Sequence, residues 1–389
     1  MPVAYAVLLV SGLLIFHIIA GYPLVLAVWR SATRPPVRKN LSYTTTVSVI
    51  VAVHNGETMI RRKLQTLLAL DYPHELMRII VVSDGSTDGT ESIVREFEGS
   101  GVTLLIAPRG GKAAALNRGM AAAAGEILFF TDVRQPLDRA CLHHLIANFA
   151  DETVGAVTGE LRLVRGDSGE QADMDLYWRY EIWARTRQSR IDSLFNTTGC
   201  VYAMRRSLAA PLPPDTLTDD AVLPLRAFLG GYRVIFDPAA IAFDYPAIAG
   251  TEFRRRFRTL AGLWQVHARM PALFTSRNRM RFHFLSHKFG RLMLPWLILV
   301  FFAATAALPA SWLRATLLAA EVFWLLLAAA YPLAPEGSTL KRVTSMARTF
   351  LTMNTAAIAA LAVFCVPATT LWRPTRVQAA SEAPPPANR

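Results

Sequence analysis

Residues 111–135 read GKAAALNRGMAAAAGEILFFTDVRQ, and this stretch decides the fold. A lysine follows paired glycines at the head of an alanine-rich helix. The helix returns through Gly125 into an apolar strand, Glu126 to Phe130, which ends in Thr131-Asp132. In open α/β sheets, ligands bind beyond the carboxyl ends of the strands, where an acid projects into a crevice. Lys112 can meet a phosphate as a point charge, and Asp132 can hold a cation or a ribose.

Upstream, Val47 to Val53 (VSVIVAV) reads as a buried strand, nearly all β-branched, that ends in His54-Asn55-Gly56-Glu57. An amphipathic helix follows through Leu70. A second strand, Arg78 to Val82, ends in Ser83-Asp84-Gly85-Ser86-Thr87-Asp88-Gly89, and a third spans Val102 to Ala107. Strands alternating with helices predict an α/β fold with a mostly parallel sheet. Downstream, strands are expected at Gly155 to Val164, Thr197 to Arg205 and Arg233 to Asp237. Helices are expected at Asp173 to Arg190, from Thr218-Asp219-Asp220 to Gly230-Gly231, and at Glu252 to Met270.

The chain has 389 residues, 52% of them hydrophobic, with the apolar excess at its two ends. Val3 to Trp29 is long enough to cross a bilayer, which takes about 20 apolar residues. Arg30, Arg34, Arg38 and Lys39 follow the run and no charge precedes it. A signal peptide would have the reverse order, so the middle of the chain is expected on the cytosolic side. His17 and Pro23 fit a bundle-facing position or a kink. Three more spans are expected at 292–308, 312–331 and 350–366, after a basic, aromatic interfacial segment at 271–291. The loop with Lys341, Arg342 and Arg348 would be cytosolic; Arg373 and Arg376 argue weakly the other way. The resulting division is a span at 3–29, a linker at 30–46, a catalytic domain at 47–270, the interfacial segment, three spans and a disordered tail at 367–389. The net charge of +12 points to lipid headgroups and phosphates before nucleic acid, given these spans. Cys141, Cys200 and Cys365 have no paired spacing, so neither disulfides nor a zinc site is indicated.

Each polar feature carries a plain structural reading beside a chemical one. Asp88 with Glu91 forms a pair like a capping box. Asp84 stands at a strand end, is not needed as a cap and can accept from a nucleobase or ribose. Gly110-Gly111-Lys112 is either a turn or an anion site at a helix start, and it lacks the spacing of a Walker A loop. One of Asp219 and Asp220 is expected to cap its helix. The alternative for Asp220 is a general base, its pKa raised by neighbouring acids. Arg254, Arg255, Arg256 and Arg258 face either anionic lipid or a leaving diphosphate. Arg254, Arg258 and Gln265 share one helical face, and Trp264 is a sugar platform or an interfacial anchor.

Together, over 47–265, these motifs resemble the membrane-embedded family 2 glycosyltransferases, the group of cellulose, hyaluronan and poly-N-acetylglucosamine synthases. SVIVAVHNGE resembles the first nucleotide-binding strand and turn, which implies donor contacts from His54, Asn55 and Glu57. SDGSTDGT resembles the uridine-binding aspartate loop with Asp84, and GKAAALN the donor-phosphate motif with Lys112. FFTDVR takes the place of the metal-binding Asp-x-Asp. TGCVYAMRR and TLTDDAVLPLRAFLGGYRV resemble the acceptor strand and the Thr-Glu-Asp helix, which makes Asp220 the base and Asp219 its acidic neighbour. The resemblance implies a GT-A fold, inversion at the anomeric carbon, a divalent cation (Mg2+ or Mn2+) and a nucleotide-sugar donor, with UDP expected. It further implies a polysaccharide or lipid-linked acceptor, an inner-membrane location and possible synthase or export partners. Two departures stand out. Arg134 replaces the second acid of Asp-x-Asp, leaving the metal to Asp132 and the diphosphate, with Arg134 adding charge. Arg255, Arg258, Trp264 and Gln265 carry the residue types of the processive Gln-x-x-Arg-Trp signature in another order. Single addition to polyprenyl phosphate or another lipid is the alternative within the class; a catalytically silent nucleotide-binding subunit is the alternative outside it.

Overall fold

The run VSVIVAV forms strand β1 (Val47–Val53), and its side chains alternate between two cores. Val47, Val49, Val51 and Val53 enter one apolar layer, whereas Ile50 enters the other. A strand buried on both faces needs helices on both, and the sequence supplies them. The computed structural model describes residues 2–29, 34–163, 171–244, 252–335 and 337–367, excluding the side chains of 171–177, 252, 254 and 255.

Beside β1 lie β2 (Met77–Asp84), β3 (Val102–Ala107), β4 (Ile127–Phe130), β5 (Val154–Leu163), β6 (Tyr202–Arg205) and β7 (Arg233–Asp244). They form one seven-stranded sheet in the order β3-β2-β1-β4-β6-β5-β7. Every neighbouring pair is parallel except the two that involve β6, which runs antiparallel to both β4 and β5. The carboxyl ends of β1, β2, β4, β5 and β7 therefore share one edge with the start of β6. Phe130 pairs with Tyr202, so the segments after β4 and before β6 leave the sheet side by side.

The helices are α1 (Pro2–Val28), α2 (Glu57–Leu68), α3 (Thr90–Arg95), α4 (Lys112–Ala122), α5 (Cys141–Ala147), α6 (Gln171–Ile191), α7 (Asp219–Leu229) and α8 (Glu252–Arg269). They are followed by α9 (Arg281–Ala306), α10 (Trp312–Ala329) and α11 (Thr339–Phe364). Ile60, Leu64 and Leu67 of α2 and Leu142, Leu145 and Ile146 of α5 cover one sheet face. Ala113, Ala115 and Leu116 of α4, Leu223 and Phe228 of α7, and Tyr22 and Leu26 of α1 cover the other. α1, α9, α10 and α11 are long and apolar enough to cross a membrane.

Several boundaries differ from the sequence expectation. β6 begins at Tyr202, because Thr197 to Val201 forms a turn in which the Thr197 amide donates to the Asp220 carbonyl. β7 extends to Asp244, with Pro238 tolerated where the pairing shifts between Phe236 and Ile241. Residues 281–291 form the first turns of α9, continuous with the expected span. Lys341, Arg342 and Arg348 lie within α11 and outside any loop, since the Ser338 side chain accepts from the Lys341 amide and starts the helix there. Arg30, Arg373, Arg376 and the tail from residue 368 lie outside the described residues.

Candidate active site

The site is assembled where the loops after β1, β2 and β4 meet the turn before β6 and the start of α7. The β1 and β2 loops are laced together by four consecutive residues. His54 Nδ1 lies 2.8 Å from the Asp84 carbonyl oxygen, and Asn55 Oδ1 accepts from the Thr87 amide at 2.8 Å. The Gly56 amide donates to Thr90 Oγ1 at 2.8 Å. The Glu57 amide donates to Asp88, and Glu57 accepts in return from the Gly89 amide, each at 3.1 Å. Asp88 thus accepts both from the Thr90 amide at the start of its own helix, at 3.1 Å, and from the Glu57 amide across the loops; its expected capping partner, Glu91, accepts from the Ser83 hydroxyl instead.

Asp84 is 3% exposed, and its carboxylate is already engaged. It accepts the amides of Gly110 at 2.7 Å and Gly111 at 3.0 Å, and it pairs with Arg109. Asp84, expected to accept from a base or ribose, thus also fixes the loop that presents Lys112. Gly111 sits at φ 86°, a left-handed conformation that suits glycine at the head of α4.

Lys112 is the hub. Its ammonium lies 2.9 Å from Asp132 Oδ1 and 3.2 Å from Asp219 Oδ1. Burial lowers its proton affinity, but Asp132, Asp219 and Asp220 more than reverse this and hold it charged. Burial would raise the Asp132 pKa; the charge and hydrogen bond of Lys112, with Arg134 and Lys63 behind it, keep it below the usual range. The Asp132 side chain stays 39% exposed, open to a ligand. Asp219 is buried and also accepts from the Tyr202 hydroxyl at 3.2 Å. Asp220 follows it at the start of α7. Burial and the charge of Asp219 push its carboxyl up to about 7, against the opposing charges of Lys112 and Arg258. Gly199 lies under this carboxylate, where an added Cβ would come within 3.3 Å of Asp220 Oδ2.

The remaining expected residues turn elsewhere. Arg134 forms a 2.7 Å ion pair with Asp244, a buried acid at the end of β7, so its charge is matched within the protein. The Arg134 charge nevertheless still acts on Asp132. Gln265 accepts from the Leu217 amide at 3.2 Å and donates to the Asp215 carbonyl at 3.0 Å, bracing the loop ahead of Asp219 and Asp220. Trp264 donates to the Ala357 carbonyl of α11 at 3.1 Å, which ties α8 to α11. Arg258 is near enough to act on Asp220, whereas the side chains of Arg254 and Arg255 lie outside the described residues.

Three contributors escaped the sequence reading. Tyr202 lay inside the quoted strand motif but was not singled out, and Asp244 carried no signal, since β7 was expected to end at Asp237. Lys63 did carry one: it lies on the stripe Ile60, Lys63, Leu64, Leu67, where an apolar residue belongs.

The fold is that of a GT-A domain. Residues 48–210 match the family described as Glycosyl transferase family 2. A probable glycosyltransferase of Bacillus subtilis, YdaM, is 29% identical over 269 residues, 64% of this chain and 63% of that protein. A poly-beta-1,6-N-acetyl-D-glucosamine synthase of Staphylococcus aureus is 25% identical over 230 residues, 57% of this chain and 53% of the synthase. The alignment thus spans less than two thirds of each of these curated relatives. The mannosyltransferase PcManGT of Pyrobaculum calidifontis, solved with GDP-Man and Mn2+, superposes with a TM-score of 0.72 at 26% identity. That superposition covers 92% of this chain and 97% of the mannosyltransferase.

Proposed function

We propose that the chain is an inverting glycosyltransferase that moves a sugar from a nucleoside-diphosphate donor to a hydroxyl of a polysaccharide or lipid-linked acceptor at a membrane. The observation that carries the reading is Lys112, which bridges an exposed acid, Asp132, and the acid pair at the start of α7. In this reading Asp220 takes the proton of the acceptor hydroxyl. The oxygen attacks the anomeric carbon opposite the diphosphate, and the bond from that carbon to the diphosphate breaks as the new glycosidic bond forms. A base with a pKa near neutrality suits that proton transfer. Lys112 exchanges its carboxylate partners for the departing phosphates.

The donor set fits a divalent cation held by Asp132 together with the substrate. Among the described residues no three His, Cys, Asp or Glu side chains form a ready cage. Mg2+ and Mn2+ are commonly bound by one or two carboxylates plus phosphates. Such an ion would neutralise charge on the diphosphate. The resemblance favours a UDP-sugar, while the structural neighbour holds GDP-Man, so both donor classes belong in the test.

Acceptor length has a second reading. Trp264 and Gln265 are spent on α11 and on the 215–217 loop, which favours addition of one sugar or a few to a lipid over processive synthesis. Membranes carrying the protein, supplied with UDP- and GDP-sugars and Mn2+, should release nucleoside diphosphate and yield a product whose size separates the two. Asp220→Asn should lower turnover by about 10²- to 10⁴-fold. Wild-type turnover in that variant would overturn the assignment of the base.

A further inference from the structure

Lys63 is 2% exposed, and its charge is directed at one segment of the site. Its ammonium donates to Thr131 Oγ1 at 2.6 Å and to the Gln135 carbonyl at 2.7 Å, which brackets Asp132. The Thr131 hydroxyl donates in turn to the Cys200 carbonyl at 2.8 Å. Cys200 follows Gly199, the residue beneath the Asp220 carboxylate. A buried ammonium is costly and is retained where its hydrogen bonds are needed. No carboxylate contacts this one within 4.0 Å among the described ion pairs, although Asp132 acts on it through space. Surface fit does not account for it either, because an apolar residue would fill the stripe on α2 at lower cost.

We infer that Lys63 is a positioning residue that locks the donor segment 131–135 to the base segment 197–200 through the chain Lys63–Thr131–Cys200. The inference rests on the proposed transferase reading for what the two segments do. It does not rest on it for the coupling itself. Lys63 touches no substrate; it sets the separation of Asp132 and Asp220 from below. Removing it frees the segment that carries Asp132 and leaves both Thr131 and the Gln135 carbonyl short of a partner.

The test is a double-mutant cycle with Lys63→Met and Thr131→Val in the full-length protein in detergent. The readouts are affinity for UDP and GDP with Mn2+ by calorimetry, kcat and donor KM, and Tm. In folded Lys63→Met, nucleotide affinity and kcat should each fall by about tenfold or more, the size of one lost charged hydrogen bond. Acceptor KM should stay within about twofold. The double variant should be no worse than Lys63→Met alone, because both substitutions cut the same chain. Unchanged affinity and kcat in folded Lys63→Met, or losses that multiply in the double variant, would overturn the inference. Should Lys63→Met not fold, Thr131→Val alone decides: it must weaken nucleotide binding and kcat together. A wild type that binds nucleotide but turns over no donor would defeat the transferase reading, and the affinity cycle would still judge Lys63.

Discussion

Asp220 has two acids, a lysine and an arginine within electrostatic reach, and its proton affinity reflects all of them. A carboxyl raised to about 7 is ionised above that pH and protonated below it, so kcat/KM should fall as the pH drops through about 7. The neighbours set the sign of each perturbation. Asp219→Asn removes a like charge and should move the acid limb down by about 1 pH unit or more. Lys112→Met removes an opposite charge and should move it up, while also weakening nucleoside diphosphate binding at least about tenfold. Three superimposable pH–rate profiles would show that the limb belongs to another group.

At the scale of elements, the strand ends and the start of α4 were legible because their logic is local. Each of β1, β2 and β4 is a short apolar run that ends in polar residues, and the glycines ahead of Lys112 mark a helix start. The partners of those polar residues were not legible, because they come from other elements. Nothing near Asp84 in sequence announces that the amides of Gly110 and Gly111 saturate it. Nor does anything near Arg134 announce Asp244, which lies 110 residues away on a strand that had been expected to stop at Asp237. The pairing changes what Arg134→Asp should do. It would set a second acid against the buried Asp244, so the expected result is a large loss of stability, about 3 kcal/mol or more, with a lowered Tm. Arg134→Asp combined with Asp244→Arg should recover part of that loss. If Arg134→Asp keeps the wild-type Tm, the pair is not what holds the two loops together.

The whole molecule joins an α/β sheet to four apolar helices, and the sheet is not separable from them by inspection. Tyr22 of α1 is fully buried in the same core as Phe228 of α7 and Phe284 of α9. Its hydroxyl accepts from Gln188 of α6 at 2.8 Å. The α/β domain therefore packs on its helices rather than hanging from a linker. A fragment without α1 and α9–α11 is expected to aggregate or lose nucleotide binding, and full-length protein to remain in the pellet after alkaline carbonate washing and to need detergent for release. Recovery of a soluble, nucleotide-binding fragment would show that the interface is dispensable.

Trp264 and Gln265 are adjacent on α8 yet grip opposite partners: one the backbone of α11, the other the loop that leads into Asp219 and Asp220. The pair acts as a strut. The vertical position of an apolar helix is set by the thickness of the lipid around it, and mismatch is relieved by tilt or displacement. With α11 in a bilayer, as proposed above, the strut would carry such a displacement to Asp219 and Asp220, and acyl-chain length would become a variable of turnover. In bilayers of increasing thickness, kcat of the wild type should pass through a maximum, whereas Trp264→Phe, which lacks the hydrogen bond to Ala357, should show a flatter profile.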